Sequence, residues 1–286
     1  MNLHYAEIAI AALIAGTIDT VVGFGGGLLL LPILVLVVGT LDAVLLSALI
    51  PLGWNIPRIV LLRNWIDWEK TLWFAVGIVP GALFGGQMLG HLDAAAVRIG
   101  IGCVMVLFGA YYILRLYVDL PGEHLPGQWI LPIVGLVTGG VSAWLGAGNG
   151  PLQTWALDAS GLSAHQAAAT NGALGGITAA ARCLAYGLAG ELHAGLIPTA
   201  AVGILGAVAG ALIGIRYTRS AKDSTLELVV GLAIVLAGIR MFFSFGGASH
   251  PQQPAPTPVA VVAPAMQIAD IRLGINSACS NPRFGS

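Results

Sequence analysis

The apolar residues of this chain fall into long runs separated by short polar segments. Eight runs approach the roughly 20 residues that a membrane-spanning helix needs. They lie at residues 3–22, 42–62, 71–90, 95–115, 129–146, 165–188, 195–216 and 225–245. Two shorter apolar runs, 28–39 and 150–160, each follow a cluster of glycines. Their length predicts half-helices or re-entrant segments, because a straight helix of that size cannot cross a full bilayer.

Polar segments divide the chain into its expected parts. The stretch 119–128 holds two Pro-Gly pairs and two acids, which predicts an aqueous loop between a first transmembrane repeat, 1–118, and a second, 129–245. Five prolines between 246 and 264 predict a disordered tail over 246–286. The first run contains two acids and follows no Lys or Arg, so we expect a retained helix rather than a cleaved signal peptide.

The two repeats carry an internal duplication. A shift of 123 residues brings Gly16, Gly23, Gly25 and Gly27 onto glycines of the second repeat. Each repeat then has four long runs and one short run. Five crossings per repeat would orient the two repeats oppositely in the membrane, which is typical of transporters with inverted repeats and broken helices. The predicted fold is therefore an all-α, polytopic membrane protein made of two inverted repeats.

Composition agrees with a membrane protein and argues against several other functions. Only 9% of the residues are charged and the mean hydropathy is +0.88, whereas soluble domains have about 25% charged residues. The net charge of −1, without a basic face, predicts no nucleic-acid partner. Cysteines and histidines form no metal-ligand spacing, and no catalytic triad or nucleotide-binding motif is present. We therefore expect no enzyme activity, no cofactor and no metal.

Two glycine clusters are the strongest candidates for a binding site. They occupy residues 23–27 and 146–150, each between a long and a short run. Glycine lets a helix unwind, and the N-terminus of the half-helix that follows offers free N–H groups and partial positive charge to an anion. The residues predicted to bind the anion there are Gly25, Gly26, Gly27, Gly148, Asn149 and Gly150. The alternative is close helix packing without a ligand.

Two arginines lie inside long apolar runs. Arg58 and Arg182 are one place from matching under the 123-residue shift. A guanidinium in a membrane is costly and usually faces an interior cavity, and its forked donors suit an oxyanion. We therefore predict that both bind the substrate. The alternative is that each reaches the membrane interface along its aliphatic stem.

Uncharged and acidic side chains complete the set of candidates. Asp19, late in the first run, is the candidate coupling residue, with pairing to an arginine or capping of the helix break as alternatives. Thr170 and Asn171, which follow the second break, are predicted to bind the anion, unless they only join helices. Ser47 and Asn55 lie in the corresponding run of the first repeat.

The glycine-rich segments resemble those of the sulfite exporter TauE/SafE family. Residues 16–32 are similar to the family's glycine-rich signature ending in proline, and 139–150 to its repeat. Residues 167–171 and the acidic turn 65–68 are similar to further family elements. The resemblance covers about 5–245 and implies a multi-pass carrier in the cell inner membrane. Its implied substrates are sulfite, thiosulfate, sulfonates or sulfoacetate-like anions.

The leading hypothesis is a secondary transporter that holds a small sulfur-containing anion between the two helix breaks and moves it by alternating access. An anion channel would use the same glycines and arginines. A non-transporting membrane scaffold would need only the glycines that pack helices. The expected partners are a small anionic substrate and the lipid bilayer, with a homo-oligomer left open.

Overall fold

A computed structural model describes residues 2–89, 94–117, 127–147, 150–217 and 232–240, which all belong to the unit Met1–Gly247. These residues are almost entirely helical and include no strand, which confirms the predicted all-α class. Most of the loop at 119–128 and the whole tail at 246–286 lie outside the described residues, so both remain predictions.

The helices follow the predicted apolar runs closely. Those of the first half are α1 (Asn2–Val22), α2 (Gly26–Val38), α3 (Thr40–Leu62), α4 (Trp68–Leu89) and α5 (Ala94–Tyr117). Those of the second half are α6 (Ile130–Leu145), α7 (Gly150–Ala159), α8 (Ala164–Leu188) and α9 (Ile197–Tyr217). A further helical stretch covers 232–240. Single 3₁₀ turns precede α4 and α9.

Four helical segments of the described chain are long and apolar enough to cross a membrane by length and composition. They are His4–Val22, Thr40–Trp65, Trp68–Leu89 and Ala194–Tyr217. Helix α8 has 25 residues, but its buried polar side chains, among them Thr170, Asn171 and Arg182, lower its hydropathy. Polar groups inside a membrane protein normally face the bundle interior, so α8 is built as an inner helix.

The helices of the two halves are interleaved. Helix α1 lies along α9, and α4 lies along α6, while α3 contacts α9 and α8 contacts α4. If α1 corresponds to α6, and α4 to α9, each of these contacts has a counterpart in the other half. The bundle thus consists of two groups, α1-α2-α3-α9 and α6-α7-α8-α4, which meet mainly along α3 and α8.

Glycines allow the closest of these contacts. They are Gly77, Gly81 and Gly85 on α4, facing α6, and Gly206, Gly210 and Gly214 on α9, facing α1. A Cβ at any of these positions would lie less than 3.0 Å from an atom of the opposite helix. Their spacing of four residues keeps each set on one helix face. Small residues let helix backbones approach closely in membranes, so these glycines hold the two interleaved pairs together.

Candidate functional site

Each glycine cluster separates two helices. Residues 23–25 lie between α1 and α2, and 146–149 lie between α6 and α7. Two predicted binding residues of the second break, Gly148 and Asn149, lie outside the described residues. Their roles therefore stay predictions.

The two breaks begin with the same backbone geometry. Gly23 has φ 95° and Gly146 has φ 82°, a region that only glycine enters freely. The N–H of Gly23 donates to the carbonyl of Asp19 at 2.9 Å, and the N–H of Gly146 donates to the carbonyl of Ser142 at 2.8 Å. Both helices therefore end at a glycine four residues after matching positions, Asp19 and Ser142, as the sequence duplication predicts.

A cavity of about 60 Å³ lies where the two breaks meet α3 and α8. The predicted site residues that line it are Asp19, Gly25, Gly27, Gly150, Asn171 and Arg182. Three others are not in its wall. Gly26 and Arg58 lie behind Asp19 and bond to it, while the Thr170 hydroxyl accepts the N–H of Asp67 at 3.0 Å. The structure thus brings residues of both clusters and one of the two arginines to a single cavity.

Asp19 joins the first helix break to an arginine. Its Oδ1 accepts the N–H of Gly26, the first residue of α2, at 3.0 Å. Its Oδ2 forms an ion pair with Nη1 of Arg58. Arg58 is 2% exposed, so its side chain lies inside the bundle and does not extend to the bundle surface. The N-terminus of α2 therefore already holds a carboxylate that belongs to the chain.

Arg182 is as deeply buried but has different partners. The side chain is 3% exposed, so it too lies inside the bundle. Its Nη1 donates to the Ser47 carbonyl at 3.2 Å, and its Nη2 donates to the Ser47 hydroxyl at 2.6 Å and the Val44 carbonyl at 3.1 Å. Its Nε donates to the Tyr186 hydroxyl at 3.3 Å. In the part of the chain that the structure describes, no carboxylate lies within 4.0 Å of this guanidinium.

Both arginines reach across the contact between α3 and α8. Nη2 of Arg58 on α3 donates to the carbonyl of Ala168 on α8 at 3.0 Å. In the opposite direction, Nη2 of Arg182 donates to the carbonyl of Val44 at 3.1 Å. The same offset of 124 residues relates the two donors and the two acceptors. The arginines are therefore equivalent in their interhelical contacts and differ in their counter-charge.

Among the described residues, two amide oxygens beside the cavity have no hydrogen-bond partner. Asn171 donates through Nδ2 to the Gly23 carbonyl at 2.6 Å, while its Oδ1 is buried and unpartnered. The Oδ1 of Asn55, across the α3–α8 contact, is also buried and unpartnered. Both residues line the cavity. A buried acceptor without a donor is costly, so these atoms are suited to a ligand that carries a hydrogen.

Sequence reasoning did not assign Tyr186 to the site. Its hydroxyl accepts from Arg182 and donates to the Ala143 carbonyl at 2.6 Å, which links α8 to the end of α6. A tyrosine in an apolar run is easily taken for a core residue. The usable signal is its position four residues after a buried arginine, on the same helix face.

An interior cavity with a buried cation, placed where two glycine clusters interrupt a bundle of membrane-length helices, defines a multi-pass membrane protein of the transporter class. No group of three or more His, Cys, Asp or Glu residues that could hold a metal occurs within the described ranges. The chain belongs to the sulfite exporter TauE/SafE family, whose profile matches residues 8–241. This confirms the resemblance of the glycine-rich segments. No curated protein and no solved structure matches the chain.

Proposed function

We propose that this protein is a secondary transporter of the cell inner membrane that binds a small sulfur-containing anion beside Arg182. The observation that carries the proposal is the buried Arg182 guanidinium, which lines a cavity and bonds only to neutral oxygens among the described residues. Leaving a buried charge unpaired is strongly destabilising, so an anion in the cavity would stabilise the protein. Membership of a sulfite exporter family supports the same chemistry.

The second helix break is the better position for this anion. Gly150 begins α7 and lines the cavity, so the positive end of the α7 dipole favours a negative charge there. At the first break, Asp19 already fills the corresponding place. We therefore propose one substrate anion between Arg182 and α7, with Gly25, Gly27 and the first break forming the opposite wall.

Cavity size favours the smaller candidate anions. A single water needs at least about 10–15 Å³ of cavity volume. A cavity of about 60 Å³ therefore has room for roughly four to six groups the size of a water molecule. Sulfite, with one sulfur and three oxygens, and thiosulfate, with one more sulfur, fit this limit. Sulfonates and sulfoacetate-like anions add a carbon chain, so we propose them as less favoured substrates than the inorganic anions.

Alternating access is proposed to occur between the two interleaved groups rather than between the two sequence halves. A motion of whole halves would separate α1 from α9 and α4 from α6, where glycines bring the backbones together. The α3–α8 contact between the groups instead brings α8 glycines against α3 side chains and contains arginine hydrogen bonds in both directions. The matched contacts of the two halves support an inverted repeat. We keep Asp19 as the proposed coupling residue, because protonating it would release Arg58.

The proposal is tested by uptake of radiolabelled sulfite into liposomes containing the full chain. A carrier gives saturable uptake that internal sulfite accelerates, and we expect Arg182→Gln to abolish it. Arg63→Gln, at an exposed arginine of the turn before α4, is the matched control and should leave uptake unchanged. A continuous current without acceleration would identify a channel. No saturable flux of any tested anion would refute transport and favour a scaffold.

A further inference from the structure

We infer that the cavity binds its substrate as a monoanion that carries a hydrogen, hydrogensulfite, in preference to fully deprotonated sulfite. The inference rests on the proposed anion site and specifies the protonation state of what binds there. Two independent features carry it: the charge of the groups around the cavity, and the two unpartnered amide oxygens in its wall.

The charge around the cavity is suited to one negative charge. Among the described residues in its wall or directly behind it, the ionised side chains are Arg58, Arg182 and Asp19. In the state with Asp19 ionised and paired with Arg58, two guanidinium groups and one carboxylate leave a single positive charge. The nearest other titratable groups on α8 are the Tyr186 hydroxyl, which donates to a carbonyl, and the Cys183 thiol. A monoanion would neutralise the site, whereas a dianion would leave a buried excess of negative charge.

The unpartnered oxygens require a donor. The hydrogen bond from Nδ2 of Asn171 to the Gly23 carbonyl fixes the orientation of this amide, so its Oδ1 remains as a buried acceptor in a residue that lines the cavity. Every oxygen of fully deprotonated sulfite is an acceptor and would meet Oδ1 of Asn171 or Asn55 lone pair to lone pair. Hydrogensulfite brings one O–H, which can donate to one of these amides while its other oxygens accept from Arg182 and α7.

The substrate test compares uptake at several external pH values, using the full chain in liposomes. Sulfite exchanges its second proton close to neutral pH, so total sulfite can be adjusted to hold hydrogensulfite constant while the dianion varies. We expect initial rates that change with pH only as far as chlorate binding does, because chlorate reports titration of the protein itself, including Asp19. Rates that follow the dianion or total sulfite would overturn the inference. So would a strict sodium requirement, because a bound cation could satisfy the amide oxygens and admit the dianion.

Chlorate separates titration of the substrate from titration of the protein. It is a pyramidal monoanion like hydrogensulfite, but it has no hydrogen to donate and its charge does not change with pH. Any pH dependence of its inhibition constant therefore reports titration of the protein, such as protonation of Asp19. It should also bind about tenfold more weakly than hydrogensulfite, since it leaves the amide acceptors unpartnered. Equal binding of the two anions would contradict the role of the amides.

A change of the amide side chains tests whether they accept the substrate hydrogen. The measured quantity is the ratio of chlorate binding to hydrogensulfite binding. Changing both Asn55 and Asn171 to Leu removes the two acceptors, so chlorate and hydrogensulfite should become nearly equal competitors. The same change at the exposed Asn64 is the matched control and should keep the wild-type ratio. A purely structural defect would weaken the binding of both anions together, and an unchanged ratio in the double variant would overturn the inference. Absence of any anion uptake in the wild type would instead refute the proposed transport.

Discussion

Asp19 and Ser142 occupy equivalent places at the two helix breaks, but only Asp19 carries a charge. Each accepts, through its carbonyl, the N–H of the glycine that ends its helix. The Asp19 carboxylate then bonds to the first residue of α2 and to Arg58, whereas the Ser142 hydroxyl donates to the Gly139 carbonyl of its own helix at 3.0 Å. The second break therefore lacks the internal anion of the first.

Ser142→Asp should convert the second break into a copy of the first. The new carboxylate would take the place proposed for the substrate, between Arg182 and the start of α7. We expect sulfite uptake to fall by at least about tenfold, while the folded protein survives because the carboxylate gains an arginine partner. Uptake in liposomes and thermal unfolding in detergent measure the two effects. Ser142→Asn, without the charge, is the control, and wild-type uptake by Ser142→Asp would argue against this anion position.

Arg182→Lys should be severely impaired although it keeps the positive charge. The guanidinium holds Val44 and Ser47 through two nitrogens and can still face the cavity. A lysine ammonium has no fork and cannot make these bonds and contact an oxyanion together. We expect saturable uptake to fall roughly 10–100-fold, which corresponds to about 1.4–2.8 kcal/mol. Size-exclusion chromatography checks the fold, and uptake near the wild-type level would contradict a role for the fork.

Breaking the Asp19–Arg58 pair should cost more stability than removing it entirely. Both side chains are buried, so Asp19→Asn or Arg58→Met alone leaves one uncompensated charge, at a cost of about 3–5 kcal/mol. The double variant removes both charges and should lose clearly less than the sum of the two. Unfolding in detergent, read as a double-mutant cycle, measures the coupling. Additive losses would show that the two groups do not stabilise each other.

Glycines in the interleaved contacts should tolerate no side chain. A Cβ at Gly85 would meet the Gly140 carbonyl, and one at Gly210 would meet the Leu13 carbonyl. Gly85→Ala or Gly210→Ala should therefore destabilise the bundle by about 1–3 kcal/mol. Gly187→Ala, at an exposed position of α8 with a negative φ and no close neighbour, should be neutral or slightly stabilising. Equal thermal stability of the three variants would count against close backbone packing.

The Asp67–Lys70 pair, which joins the turn before α4 to the first turn of that helix, should give the protein an acid-sensitive stability term. Partial burial opposes ionisation of Asp67, but the hydrogen bonds and charge of Lys70 outweigh it and hold the pKa of Asp67 below its usual range. The stabilisation is present above the ordinary aspartate pKa and is lost as the pH falls through the lower folded-state pKa. Asp67→Asn should remove this contribution, about 0.2–1 kcal/mol. The unfolding temperature of the variant should then depend less on pH under acidic conditions. An unchanged acid slope would contradict the pair.

The helices and the breaks were accessible from sequence because both depend on local composition. Apolar runs predict α3 and α9 to within a few residues, since membrane length and a polar turn fix both ends of a helix. The glycine clusters predict where α1 and α6 stop, because the required positive φ at Gly23 and Gly146 admits little else.

The sequence could not predict which helices pack against each other or which charge pairs with each arginine. The glycines at 77, 81 and 85 indicate that α4 approaches another helix closely, but their spacing does not say that the neighbour is α6. Arg58 and Arg182 have equivalent sequence positions. They differ because Asp19 reaches one of them and no described carboxylate reaches the other, a difference that arises only when four distant segments meet.

The interleaving of the helices has a consequence for how the protein is made. Helix α1 rests on α9, and α4 rests on α6. A nascent chain that has left the ribosome only as far as α5 has neither of these surfaces to rest on, and the glycine-lined face of α4 is then open to lipid or to the insertion machinery. The contact between α1 and α9 can form only after α9 has entered the bilayer. Assembly therefore depends on the late helices and does not proceed one half at a time.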